Sequence, residues 1–253
     1  MIYGLYLSAS GVITNSYRQD VISNNIANAE TVGFKKDLAI LQQRPTAAQE
    51  TGHENQTNPL LENIGGGLLA ARLAVDTRAG EYEPTGNGMD VALDGNGFFA
   101  VSSGDGKMHL TRNGQFLLNR NGMLSLSNNP AESVLDEKQN PIKLDGTQPI
   151  TIASDGSITQ AGKTVARIGI FDAGNPAALQ KDGGTLLSVP DGTALTTATP
   201  TVRTGFIERS NVDPATEMVE LMDTQRQLEA NANMIQIQDQ TLDKLVNDVG
   251  KVS

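Results

Sequence analysis

Residues Ser8–Lys36 read SASGVITNSYRQDVISNNIANAETVGFKK. Through this stretch, and just ahead of it, apolar side chains recur at steps of three and four: Leu5, Ala9, Val12, Ile13, Tyr17, Val21, Ile22 and Ile26. That spacing places most of them on one stripe of an α-helix. About 24 residues at 1.5 Å each make a rod of roughly 36 Å. Asn24, Asn25 and Asn28 then crowd the last turn. Asparagine is a poor helix-interior residue that tolerates the left-handed conformation ending a helix. Three of them exceed what one helix end needs. An amide donates and accepts at once, so some are expected to bond across a subunit boundary. Gly33 is a second permissive position. Phe34 is a single large apolar anchor, and Lys35 and Lys36 are read as returning the chain to solvent.

A candidate partner for this helix lies at the other end of the chain. Asp213 is a plausible N-cap with Pro214 at the first helical position. From there Leu221, Leu228, Ile235, Leu242 and Val249 form an unbroken apolar series with a period of seven. The companion series read beside it is Met218, Gln225, Ala232, Asp239 and Val246, which is mixed. One full seam and one half-polar seam suggest a coiled-coil-like helix with more than one neighbour. About 36 residues would span roughly 54 Å, longer than a globular domain usually needs. Residues 214–253 hold seven acids and three bases, and residues 1–36 two acids and three bases. The signs suit pairing of the two ends.

Between the helices the pattern changes twice. From Asp37 to about Gly80 an apolar start (Leu38, Ile40, Leu41) gives way to the unpatterned run RPTAAQETGHENQTNP, and Gly65–Gly67 break whatever begins at Leu60. This reads as an extended connector. From Glu81 to about Phe206 the signals are β throughout. Turn pairs such as Asp94-Gly95, Asp105-Gly106, Asn113-Gly114, Asn121-Gly122, Asp145-Gly146, Asp155-Gly156 and Asp191-Gly192 separate short apolar runs. The runs are FFAV (98–101), QFLL (115–118), MLSL (123–126), ITIA (150–153) and VARIGIF (165–171). Such turns with strands of about five residues predict an antiparallel meander.

The expected fold class is therefore α+β, with long N- and C-terminal helices pairing as a coiled-coil-like layer and a central antiparallel all-β domain. The expected boundaries are an N-terminal helix segment over 1–33, a connector over 34–80, the β domain over 81–206 and the C-terminal helix segment over 207–253.

Composition narrows the function classes. Aromatics make up 4% of the 253 residues, and there is neither tryptophan nor cysteine. That is lean for a pocketed enzyme, and it removes disulfides, thiolate metal sites and cysteine nucleophiles. A formal charge of -10 gives no electrostatic reason to bind nucleic acid. The sequence MIYGLYLSASGV lacks the basic and long apolar regions of a cleaved secretory signal. No window reaches the roughly 18 apolar residues of a membrane span. The Asp-Gly turns lack the staggered carboxylates and closing glutamate of a calcium loop. His53 and His109 share no metal-ligand spacing. Ser154-Asp155-Gly156 has no histidine base, and Glu208 and Glu217 are read as flanking a helix cap rather than a cleft. No catalytic, cofactor or metal site is expected, and no small-molecule substrate.

Four blocks of sequence carry a resemblance. SNNIANAETVGFKK (23–36) resembles the N-terminal signature of the flagellar rod and hook axial proteins. TGNGMDVALDGNGFFAV (85–101) is similar to their entry into the β domain. LTRNGQFLLNRNGML (110–124) resembles their Thr-Arg-x-Gly-x-Phe hairpin, and GFIERSNVDPATEMVELMDTQRQLEAN (205–231) their Glu-x-Ser-Asn-Val entry to the last helix. The blocks come in the family's order. Only the connector and residues 172–200 lack a counterpart, and Met89 stands where the family usually carries proline. VLDEKQNPIKL (134–144) and PITIASDGSI (149–158) resemble the proximal rod branch first and the distal rod branch next.

The resemblance implies a structural subunit of the bacterial flagellar basal-body rod in the periplasm. It would be exported by the flagellar type III apparatus without signal cleavage, and would stack helically with copies of itself and with other axial proteins. The assembly interface it implies, together with the periodicities, is Leu5, Ala9, Val12, Ile13, Val21, Asn24, Asn25, Ile26, Asn28, Gly33 and Phe34 on the N-terminal side. On the C-terminal side it is Met218, Leu221, Leu228, Ile235, Leu242 and Val249. Two rival classes are an oligomeric secreted binding module or adhesin and a carbohydrate-active β enzyme. The latter would need paired carboxylates with aromatic platforms, which the low aromatic content disfavours.

Overall fold

The computed structural model describes residues 2–45, 67–104, 106–190 and 192–249. His53, Gly65, Gly66, Asp105, Asp191 and the side chain of Val249 lie outside the described residues. The chain forms two compact units. One gathers Met1–Ile26, Asp37–Leu73 and Pro214–Ser253, and the other Ala27–Lys36 and Ala74–Asp213.

The first unit is built on two helices, α1 (Ile2–Ala27) and α2 (Pro214–Val249). They pair in opposite directions: Gly4 lies against Gln238, Gly11 against Asn231, and Asn25 donates to Glu217. Beside α1 lies a two-stranded ladder of β1 (Asp37–Gln43) and β2 (Leu68–Val75). These strands occupy part of the stretch whose sequence shows no regular pattern. Their backbone groups are held by α1: Ser10 Oγ donates to Leu68 O and accepts from Leu68 N, and Tyr17 Oη donates to Ala71 O. A strand edge satisfied by hydroxyls of a distant helix leaves no local signature.

The paired face of α2 differs from the one the heptads suggested. The apolar row Leu221, Leu228, Ile235 and Leu242 is half-buried. Its inward companion is Glu217, Thr224, Asn231 and Gln238, of which the first two are buried and the last two half-buried, rather than Met218, Gln225, Ala232, Asp239 and Val246, of which only Ala232 is half-buried. Glu217 is 1% exposed and Thr224 0%, whereas Met218 is 50% exposed and Val246 71%. Both rows repeat every seven residues and flank the same leucines, so periodicity alone does not rank them.

Among its described residues from Ala74 to Asp213 the second unit holds β-strands and one 3-10 turn, at Pro176–Ala178. In chain order its strands are β3 (Tyr82–Pro84), β4 (Val91–Asp94), β5 (Phe98–Ser102), β6 (Met108–Thr111), β7 (Phe116–Leu118) and β8 (Leu124–Leu126). They continue with β9 (Ser133–Val134), β10 (Ile150–Ile152), β11 (Ser157–Gln160), β12 (Lys163–Arg167), β13 (Ile170–Asp172) and β14 (Gln180–Lys181). The last are β15 (Leu186–Ser188), β16 (Thr196–Thr197), β17 (Thr201–Thr204) and β18 (Phe206–Glu208). The main sheet runs β14-β15-β6-β5-β9-β8-β7, with β13 joining β5 and β16 joining β13. A smaller sheet is β10-β11-β12, and two further pairs are β4-β17 and β3-β18. All these pairings are antiparallel.

The core lies between the sheets. Phe99 and Phe116 meet edge to face at 5.1 Å, surrounded by Val91, Leu93, Leu124, Leu126, Val134 and Ile158. The run VARIGIF is not one strand. It divides into β12 and β13 in different sheets, because Gly169 crosses Asp136 so closely that a Cβ would lie 2.5 Å from its carbonyl oxygen. At the turn before β4, Met89 N donates to Asn87 Oδ1. A proline there has no such N–H, so this chain closes the turn with an asparagine side chain instead.

Candidate assembly site

The helical unit keeps polar groups inside and apolar groups outside. Ser8, Thr14, Asn15 and Asn25 of α1 are buried, with Glu217 and Thr224 of α2. Thr14 and Thr224 satisfy their hydroxyls on Ser10 O and Glu220 O within their own helices. Among the described residues, every exposed large apolar side chain except Val165 belongs to this unit. Examples are Ile13 at 69%, Val219 at 54%, Met222 at 52% and Ile237 at 56%. Apolar exposure concentrated on one unit is what a surface that meets another protein would present.

The expected interface residues fall into three groups. Ile13 and Met218 are exposed, and Leu5, Ala9, Val12, Ile26, Leu221, Leu228, Ile235 and Leu242 are half-buried. Val21 is buried at 7%. Asn25, Gly33 and Phe34 are buried within the chain itself. Asn25 is 1% exposed. It accepts from Asp37 N, donates to Asp37 O, and donates to Glu217 Oε2. Its amide thereby completes the end of β1 and satisfies a buried carboxylate, a role inside the subunit. Asn24 is exposed and donates to Asp37 Oδ2, and the half-buried Asn28 accepts from Thr31 Oγ1.

Sequence reading missed Gly4 and Gly11. Each glycine inside a helix costs about 1 kcal/mol relative to alanine, so two of them seven residues apart need a reason. Each gives an amide room to approach: a Cβ on Gly4 would lie 2.9 Å from Gln238 Nε2, and one on Gly11 2.7 Å from Asn231 Nδ2. Their spacing of seven was the available signal. An open groove of about 450 Å³ beside them, lined by Leu7, Gly11, Leu41 and Asn231, holds no acid–base pair.

In the β unit the segment Ala27–Lys36 closes a buried charged node. Gly33 has φ +70°, and a Cβ there would lie 2.2 Å from Asn113 N. Only glycine fits. Its N–H donates to Glu208 O. Phe34 is 1% exposed and packs with Ala29 and Val212. Lys181 Nζ sits 3.4 Å from the Phe34 ring centroid and donates to Lys35 O.

Lys35 does not reach solvent. Its side chain is 2% exposed and donates to Glu208 Oε1 and Arg78 O. Arg112, 4% exposed, donates to Glu208 Oε2, Leu93 O and Gly95 O. Glu208, 0% exposed, is the counter-ion of two cations rather than a residue beside a cap. Burial pushes the Lys35 ammonium below its ordinary value; Glu208 pulls it back up and Arg112 pushes it further down. Asn211 finishes the node, accepting from Lys36 N and donating to Asp76 O and Arg78 O.

Three sequence blocks thus converge at one place: Gly33-Phe34-Lys35, Arg112-Asn113 and Glu208 with Asn211. Residues 5–35 match the flagella basal body rod protein family. Residues 92–160 match the flagellar hook protein FlgE/F/G D1 domain, and residues 203–248 the flagellar basal body rod FlgEFG protein C-terminal family. The flagellar basal-body rod protein FlgG of Bacillus subtilis is 33% identical over 98% of this chain and 99% of its own length. The chain belongs to the flagellar basal-body rod family. The basal-body rod protein FlgF of Caulobacter vibrioides is 29% identical over 98% of both chains. The hook-basal body complex protein FlhO of Bacillus subtilis is 28% identical over the full length of both.

Rod proteins of this family are structural, and the chain is not an enzyme. The buried node is then a structural feature of the β unit. No helix among the described residues is long and apolar enough to cross a membrane. No group of three or more His, Cys, Asp or Glu among them could hold a metal. The Asp-Gly turn carboxylates are engaged locally. Asp155 Oδ1 accepts from Ser157 Oγ and N, and Asp145 Oδ1 from Thr147 N and Oγ1. Those bonds hold both carboxyls below the usual range.

Proposed function

We propose that this rod subunit builds the torque-transmitting shaft by stacking helically through α1 and α2 with copies of itself and with other axial proteins. The observation that carries this is the segregation of apolar surface. Among the described residues the β unit leaves only Val165 of its large apolar side chains exposed, whereas the helical unit leaves Ile13, Met218, Met222, Ile237 and Val246 exposed, with others. Many shallow contacts repeated head to tail give an interface that does not close, which is how a filament grows.

Within the rod we assign the chain to the proximal position, that of FlgF, with the distal position of FlgG as the alternative. Identity alone leans to FlgG, at 33% against 29%. Alignment length leans the other way. The FlgF alignment runs over 252 positions, close to the 253 residues of this chain, whereas the FlgG alignment runs over 269 and needs more gaps. The stretches 134–144 and 149–158 support the same choice.

The chain reaches the periplasmic rod through the flagellar type III export apparatus, a reading supported by its membership of the rod family. The deciding experiment is imaging of basal bodies from cells lacking the chain. A rod ending below the distal segment supports the proximal assignment. A rod lacking only its distal segment reassigns the chain to the FlgG position, and a complete rod with normal swimming overturns the assembly reading.

A further inference from the structure

α2 can cover its Leu221, Leu228, Ile235 and Leu242 row with either of two neighbouring rows. The row Met218, Gln225, Ala232, Asp239 and Val246 is the more apolar of the two, and hydrophobic burial by itself favours placing Met218, Ala232 and Val246 inside. The structure instead turns Glu217, Thr224, Asn231 and Gln238 inward, with Glu217 and Thr224 buried and Asn231 and Gln238 half-buried. Moving from one row to the other is a turn of the helix about its own axis of roughly 100°.

The explanation lies on α1. At Gly4 and Gly11 the facing surface has no side chain, and the two concavities are seven residues apart, the spacing of Gln238 and Asn231. The whole Asn231 amide seats there: a Cβ on Gly11 would lie 2.7 Å from Nδ2, 3.0 Å from Cγ and 3.1 Å from Oδ1. Two heptads further along, Asn25 bonds Glu217 and closes the row. A methionine or valine row turned inward would take Glu217 away from Asn25 and leave the buried Asn25 amide without that acceptor.

We propose that Gly4 and Gly11, with the amides of Gln238 and Asn231, set the rotation of α2 about its axis and so hold Met218, Met222 and Val246 outward as the face met by the neighbouring rod subunit. Hydrophobic residues would pair the helices in either setting; glycine and amide select one. Methionine suits the outward role, because its unbranched side chain adapts to partners of differing shape.

The chain has no cysteine, so a single introduced thiol reports its own accessibility. In the purified full-length chain the Thr224→Cys thiol is expected to react with a maleimide about tenfold more slowly than the Met218→Cys thiol, as a site opened only by local unfolding does. Adding Gly11→Ala to Thr224→Cys raises its rate at least about threefold, and adding Asn231→Ala to that chain restores protection by making room for the new methyl group. Equal rates at the two positions, no response to Gly11→Ala, or no recovery with Asn231→Ala would each overturn the proposal. What the outward face meets rests on the assembly reading, whereas the labelling is independent of it. Normal swimming without the chain would end the first and leave the second standing.

Discussion

Lys35 Nζ lies 2.5 Å from Glu208 Oε1 across 173 residues of sequence, and neither side chain is more than 2% exposed. Arg112 holds the other carboxylate oxygen at 2.9 Å. A residue that follows α1 and one from the turn between β6 and β7 are thereby tied to a carboxylate that precedes α2. The triad carries an excess positive charge, so its members are not equivalent. Glu208→Gln leaves two buried cations facing a neutral amide and is expected to cost about 3–5 kcal/mol. Lys35→Met leaves Glu208 paired with Arg112 and is expected to cost less than about half of that, because the apolar stem is kept. Denaturant midpoints of the two variants check the order, and equal losses would refute the assigned roles.

Gly33 supplies both a positive φ and the room for Asn113. Gly33→Ala meets a backbone atom at 2.2 Å that cannot swing aside. The expected cost is about 2–4 kcal/mol, above that of an ordinary helix or surface glycine. Its sign should be visible as faster proteolysis between Ala27 and Asp37 with the β core still resistant. A Gly33→Ala variant as resistant as the parent would show that the turn relaxes freely.

Acid should loosen the β unit through Asp76. The Arg78 guanidinium beside it holds its carboxyl below the ordinary value of 3.8, with burial opposing. A folded value below the unfolded one means the stabilisation is complete above about pH 4 and is lost as pH falls through the folded value. Arg78 is 84% exposed, so solvent screening keeps the contribution below about 1 kcal/mol. Asp76→Asn should therefore flatten the acid limb of the stability curve and leave the neutral region nearly level. A steeper acid limb in the variant would contradict the sign.

Exposed apolar residues on the helices should matter to assembly and not to folding. Ile13→Ser and Met218→Ser remove side chains that are 69% and 50% exposed. Each should change the thermal stability of the isolated chain by less than about 1 kcal/mol. Both are expected to reduce incorporation into basal bodies and swimming in cells that rely on the variant. Full swimming by the double variant would place the intersubunit face elsewhere.

Elements with local causes were legible in the sequence. The 36-residue α2 begins at Pro214 as its cap and heptads require, and Asn121-Gly122 and Asp155-Gly156 mark turns between β7 and β8 and between β10 and β11. The N-terminal asparagine block was legible as unusual, though not in its use. Asn25 serves Asp37 and Glu217, and nothing in the local sequence names a partner 192 residues away. Lys35 was misread for the same reason. A lysine ahead of another lysine belongs in water unless a buried carboxylate is brought to it, and Glu208 comes from the far end of the β unit.

By itself the sequence determined the family, the two amphipathic helices, the antiparallel β character between them and the absence of cysteine chemistry, because each follows from residue type or short-range spacing. Tertiary structure decided which row of α2 faces α1. Two rows share the seven-residue period and flank the same leucines, so periodicity leaves them tied. The tie is broken by Gly4 and Gly11, more than 200 positions distant in the chain. It likewise decided that VARIGIF divides between two sheets, since the close crossing of Gly169 over Asp136 exists only once the strands have met.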